Sequence, residues 1–129
     1  MLVNNRNFNH IKVHTQYSIC EGAIKIDQLA EYCKAKKIRC LGLADNYNLC
    51  GALEFSEKLS KAGTQPIIGT QINLKEHNII GKITLYAKTE DGYKNLTKLS
   101  SLSYLKSNED EVPACSLTDL VKNSKDLIH

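Results

Sequence analysis

The chain is expected to fold as an α/β domain with a largely parallel sheet, and three observations lead there. Short β-branched or apolar runs alternate with amphipathic stretches of helical period from residue 10 to the end. The run CLGLAD, residues 40–45, is apolar until it closes on Asp45, the pattern of a buried strand that delivers a polar group to its C-terminal edge. The 129 residues suit one domain and can bury a real core.

In HIKVH, residues 10–14, strict alternation puts Ile11 and Val13 on one face of a strand and His10, Lys12 and His14 on the other. IDQLAEYCKAKKI, residues 26–38, brings Ile26, Leu29, Ala30, Cys33 and Ile38 round at helical spacing, with Asp27 near the N-terminus as a cap or dipole partner. After strand 40–45, NLCGALEFSEKLSKAG repeats Leu49, Ala52, Leu53, Phe55 and Leu59 along a helix that Gly63 ends.

QPIIGTQINL, residues 65–74, reads as a third strand, with Pro66 tolerable only near its beginning. KITLYAK, residues 82–88, makes a fourth, joined to the third through the hairpin-like connection KEHNIIG. In residues 89–105 Thr89 can cap a helix with acids in its first turn and Tyr93, Leu96, Leu99 and Leu102 along one face. KSNEDEVPA, residues 106–114, is a polar surface loop broken by Pro113. Ser116 and Asp119 form a capping-box pattern over the short helix 116–124, and DLIH opens a further strand.

A formal charge of +3 is too small to argue for nucleic acid by itself. MLVNNRNFNH lacks the apolar core of a signal peptide, and no run approaches the ~18–20 apolar residues of a membrane span. The cytoplasm, with no membrane partner, is therefore the expected location. Cys20, Cys33, Cys40, Cys50 and Cys115 are odd in number and form no CxxC pair, so reduced thiols within the core are expected.

In such a fold, polar residues at the C-terminal ends of strands usually build the functional site. His10, Lys12, His14 and Glu21, then Asp45 and Asn46, Gln71, and Lys82 at the start of the fourth strand fall at such places. Histidines two apart on a strand can share a metal, but Lys12 stands between His10 and His14, and an ammonium repels a cation. The competing reading makes these residues polar members of the fold, with Lys12 in an internal ion pair to Glu21 or Asp45. Thr15 and Ser18 beside a histidine are too common to identify a hydrolase. His77 lies in a polar loop, KAKKIR (34–39) suits a helix C-terminus, and no Walker loop or GxGxxG is present.

HIKVHTQYSICEGA, then ADNYNLCGALEF, then PIIG followed by EDGYKNL resemble, in order and spacing, the PHP (polymerase and histidinol phosphatase) domain at the start of bacterial replicative DNA polymerase III alpha subunits. The resemblance runs from Phe8 to Ile128 and implies part of a distorted (β/α)7 barrel, incomplete in residues 1–129, with the polymerase core downstream. It also implies a metal cluster for phosphoester hydrolysis in active members. The family's first-strand His-x-His falls on Lys12 and His14, its turn aspartate on Glu21, the histidine after Asp45 on Asn46, its third-strand glutamate on Gln71 and the histidine opening its fourth strand on Lys82.

The resemblance therefore implies a degenerate site with no catalytic residue and no cofactor in this segment, while Mg²⁺ would serve the whole polymerase. It further implies a scaffold for the remainder of the alpha chain, for a proofreading exonuclease and other replication subunits, and contact with DNA only through the full-length protein. A stand-alone PHP phosphoesterase with a metal cluster is the alternative. An incomplete barrel would expose a strand edge and promote self-association.

Overall fold

The computed structural model describes residues 8–129. Four helices and five strands follow in the order α1 (Ile26–Lys36), β1 (Cys40–Asn46), α2 (Ala52–Lys61), β2 (Gln65–Glu76), β3 (Ile79–Ala87), α3 (Glu90–Leu105), β4 (Ala114–Cys115), α4 (Leu117–Lys122) and β5 (Leu127–Ile128). They build one open, mixed sheet in the order β1-β2-β3-β5, with β4 on the same edge of β2 as β1 but further along it. β1 and β4 run parallel to β2, whereas β2–β3 and β3–β5 are antiparallel. The expected largely parallel sheet is thus corrected to a mixed one. The cause is the connection at 77–78, a two-residue turn that can join only antiparallel neighbours. It extends β3 back to Ile79, so Lys82 lies within that strand instead of opening it.

Pleat alternation separates the two faces of the sheet. One carries Leu41, Leu43, Ile68, Ile72 and Leu85. Leu41 and Leu43 pack with Ile26 and Cys33 of α1 and Ala52, Phe55 and Leu59 of α2, while Ile72 and Leu85 pack with Leu96 and Leu99 of α3 and with Cys115. Burying each such side chain contributes about 1.5–3 kcal/mol, so these two clusters hold the helices to one face. The opposite face carries Ala44, Asn46, Gly69, Gln71, Asn73, Lys82 and Thr84.

Capping follows local chemistry. The Thr89 side chain accepts from the Gly92 amide at 3.1 Å, and Ser116 and Asp119 exchange capping bonds. Gly63, at φ +82°, follows the C-cap of α2. Asp27 is a first-turn residue and not the cap, which is Lys25 without a side-chain bond.

The segment 10–14 departs from a regular strand. It touches β1 through one parallel bridge, Val13 with Leu43. The Gly42 amide donates to the His10 carbonyl at 2.8 Å and the Val13 amide to the Gly42 carbonyl at 3.0 Å. In a regular parallel ladder that first bond would reach residue 11, so one extra residue is accommodated as a bulge. Gly42 permits it, because a Cβ there would lie 2.2 Å from the Ile11 carbonyl oxygen. The bulge undoes the expected alternation: Val13, half-buried, packs on the α1–α2 cluster and His14 is half-buried too, but His10, Ile11 and Lys12 are exposed.

β4 was not foreseen, since its two residues are strand only by pairing with Asn73 and Leu74. The cysteines are all free, but only Cys33 and Cys115 are buried. Cys20 and Cys50 are exposed and Cys40 is half-buried, so the expected core placement holds for Cys33 and Cys115 and is corrected for the exposed pair.

Candidate functional site

The site is built where β1 ends and the chain has just turned back from the first segment. Asp45 and Asn46 are successive residues of β1, so the pleat sends their side chains to opposite faces. Asp45 is fully buried. One of its oxygens accepts from the Thr15 amide at 2.5 Å and the Ser18 hydroxyl at 2.7 Å, and the other from the Thr15 hydroxyl at 2.6 Å. Ser18 in turn accepts from the Asn46 amide at 3.0 Å. A buried carboxylate is tolerated when donors satisfy both oxygens, and here they do. This overturns the expected ion pair between Lys12 and Asp45. Lys12 is exposed and forms no salt bridge among the described residues, because the bulge carries it away from the sheet.

On the opposite face, Asn46, Gln71 and Thr84 form a row across three strands. The Gln71 side-chain amide donates to the Thr84 hydroxyl at 2.8 Å, and Asn46 donates its amide to the Glu21 carboxylate. Glu21 therefore faces an amide and not Lys12. Lys82, the cross-strand partner of Asn73, puts its ammonium 5.5 Å from the centre of the Tyr47 ring. Tyr47 follows the site residues in a left-handed backbone conformation, φ 64°, held by its amide donating to the Gln71 carbonyl at 2.9 Å. The cation over the aromatic face contributes about 0.5–1 kcal/mol at this exposed position.

His14 Nδ1 and Asn46 Oδ1 are buried without a hydrogen-bond partner. His10 lies outside the cluster, exposed, with its ring edge-on to Phe8 at 4.7 Å. The structure thus brings together Glu21, Asn46, Gln71 and Lys82 around the end of the sheet, sets Asp45 on the other face, and leaves His10 and Lys12 apart.

One unpartnered imidazole nitrogen and one amide oxygen are a poor pair for a divalent ion, which needs several anionic or imidazole donors. Both Asp45 oxygens are engaged, Gln71 is turned to Thr84, and an ammonium stands on the same face. Among the described residues no three His, Cys, Asp or Glu side chains are grouped to hold a metal. The residues present do not fit the family's cluster.

A second network braces the turn. The Tyr17 hydroxyl donates to Glu54 at 2.8 Å, Lys58 bonds the same Glu54 at 2.9 Å, and Lys58 also contacts Asp27. These contacts hold the Glu54 carboxyl below its ordinary range and push Tyr17 and Lys58 up. Thr15 and Ser18, which sequence reasoning set aside as too common, are the residues that fasten the site. The pair was visible only as two hydroxyls three apart in a turn, closed by the Ser18 amide donating to the Thr15 carbonyl at 2.9 Å.

The model of the PHP domain matches residues 10–129, and the chain belongs to that family. Within it, the chain is similar to the N-terminal region of DNA polymerase III alpha subunits. It is 38% identical over 122 residues to that of Rickettsia felis, covering 94% of this chain and 10% of the relative. Identity is 38% to that of Caulobacter vibrioides, covering 95% and 12%, and 33% to that of Vibrio cholerae, covering 94% and 11%. The chain therefore spans about a tenth of the length of these curated relatives. A crystal structure from Bifidobacterium adolescentis, described as a metal-dependent phosphoesterase, superposes with a TM-score of 0.56 at 14% identity. The superposition covers 91% of this chain and 43% of that one, a likeness of fold.

Proposed function

We propose that residues 1–129 form the N-terminal part of the PHP domain of a replicative DNA polymerase alpha subunit, serving as a scaffold in place of a phosphoesterase. The observation that carries the scaffold reading is the engagement of most ligand positions by neighbouring side chains: Asp45 by Thr15 and Ser18, Gln71 by Thr84, Asn46 by Glu21 and Lys82 by Tyr47. The polymerase reading rests on the identity to alpha subunits over nearly the whole chain. On this reading the whole protein adds deoxynucleotides to DNA with Mg²⁺, works in the cytoplasm and carries its catalytic carboxylates elsewhere in the polypeptide. The scaffold faces the polymerase core, a proofreading exonuclease and other replication subunits.

Two measurements test the reading together. Calorimetric titration with Mn²⁺ and Zn²⁺ is expected to show no stoichiometric binding tighter than about 10 μM. Hydrolysis of an aryl phosphate is expected to show no turnover that a chelator removes. Tight binding with chelator-sensitive turnover would instead establish a stand-alone phosphoesterase. The coding sequence beyond His129 tests the polymerase part, which fails if no polymerase core follows.

A further inference from the structure

On the helix-bearing face of the sheet, a gap lies between the two core clusters. Between α2 and α3 lies a cleft of about 330 Å³, with Leu53, Pro66, Ile68, Ala87 and Lys88 in its lining. Small residues are part of its lining: Ala52 and Ser56 on α2, and Ala87 at the end of β3. Ile68, central in the sheet, is left half-buried, and Leu53 at the mouth is 79% exposed. A gap of this volume reaches the lower range of small-molecule sites, about 300–1,000 Å³, which combine an apolar floor with a few polar groups.

The charge at this cleft has one sign. Lys88 is its only charged lining residue, and among the described residues no carboxylate comes within 4.0 Å of it. The two acids that follow it in sequence, Glu90 and Asp91, are instead paired with Lys94 at 3.3 and 3.7 Å. Thr89, Ser56 and Tyr93 add hydroxyls to the wall. An apolar floor with one unneutralised ammonium beside hydroxyl donors is complementary to a small molecule with an apolar body and an anionic head.

We propose that this cleft binds a small amphipathic carboxylate, its alkyl or aryl body on Pro66, Ile68 and Ala87 and its carboxylate on Lys88. None of its lining residues belongs to the degenerate metal site, so its occupancy does not depend on the function proposed above.

Octanoate and octanol serve as probes, titrated calorimetrically into the 129-residue chain. Octanoate is expected to bind saturably at one site, and octanol at least fivefold more weakly. Lys88→Gln should abolish that preference, while Ser56→Leu and Ala87→Leu, which fill the cleft from two independent elements, should each weaken octanoate about tenfold. Circular dichroism confirms that each variant is folded, and if one filling variant unfolds the other decides. The proposal is overturned if octanoate shows no saturation up to about 10 mM. It is equally overturned if octanol binds as well, the behaviour of a site for a neutral apolar side chain, or if the filling variants bind like wild type.

Discussion

Asp45→Ala is the substitution that best separates a structural clamp from a relic of metal binding. Three donors converge on this one fully buried carboxylate, at 2.5, 2.6 and 2.7 Å, and two of them come from a residue thirty positions away in the chain. A hydrogen bond to a charged group contributes about 1.5–3 kcal/mol. The three share one acceptor, and the hydroxyls can turn elsewhere, so their loss is well below additive and a total near 4 kcal/mol is expected. With a urea dependence of about 2 kcal/mol per molar for a domain of this size, the unfolding midpoint should fall by about 2 M. Asp45→Asn keeps the shape but turns one amide toward donors, and should cost about 2 kcal/mol; Ser18→Ala removes one bond and should cost about 1–2 kcal/mol. Urea unfolding followed by circular dichroism measures all three, and the milder pair remains informative if Asp45→Ala does not fold. A clamp predicts the same losses with chelator or with Mn²⁺ present. Losses below about 1 kcal/mol throughout, or losses seen only with metal, would refute the clamp.

Other outcomes follow from the same contacts. Lys106 at 2.6 Å and the Ser116 hydroxyl hold the Asp119 carboxyl below its ordinary range. A depressed carboxyl stabilises the fold above its unfolded value of ~3.9 and loses that contribution as pH falls through the lower folded value. Asp119→Asn should therefore cost about 1 kcal/mol at pH 7 and converge on wild type near pH 2, as read by unfolding at both pH values. An aromatic disulfide reagent at neutral pH should modify Cys20 and Cys50 quickly and leave Cys33 and Cys115 for the unfolded chain. Both slow thiols are buried and their pKa values raised by desolvation, that of Cys115 to about 11.

The helices were legible because their signals are local. Thr89, Ser116 with Asp119, and Gly63 act within a few residues of themselves, and the structure uses each as its pattern indicates. The sheet was legible in its strands but not in its pairing, since a two-residue turn at 77–78 decides the direction of β3 and a partner decides that β4 exists. The site was legible as a set of positions, and its contacts were not. Alternation in HIKVH suggested that His10, Lys12 and His14 share a face, and one extra residue opposite Gly42 disperses them. Asp45 and Asn46 are neighbours in sequence, yet the pleat sends their side chains to opposite faces, and the turn carrying Ser18 and Glu21 is what contacts both. The role of Thr15 and Ser18 was not legible because the group they bind lies some thirty residues on, beyond the reach of any local pattern.

Gly42 limits how such a chain can vary. Its α-carbon lies against the Ile11 backbone, and a single added carbon would come within 2.7 Å of three atoms of that residue. Backbone cannot rotate aside as a side chain can, so even alanine would lift the first segment from β1 and with it the turn that reaches Asp45. If position 42 were randomised and folded variants selected, glycine alone should return, while the neighbouring exposed Lys12 should accept almost any polar residue. The turn that fastens Asp45 is thus kept in place by a position that carries no chemistry of its own.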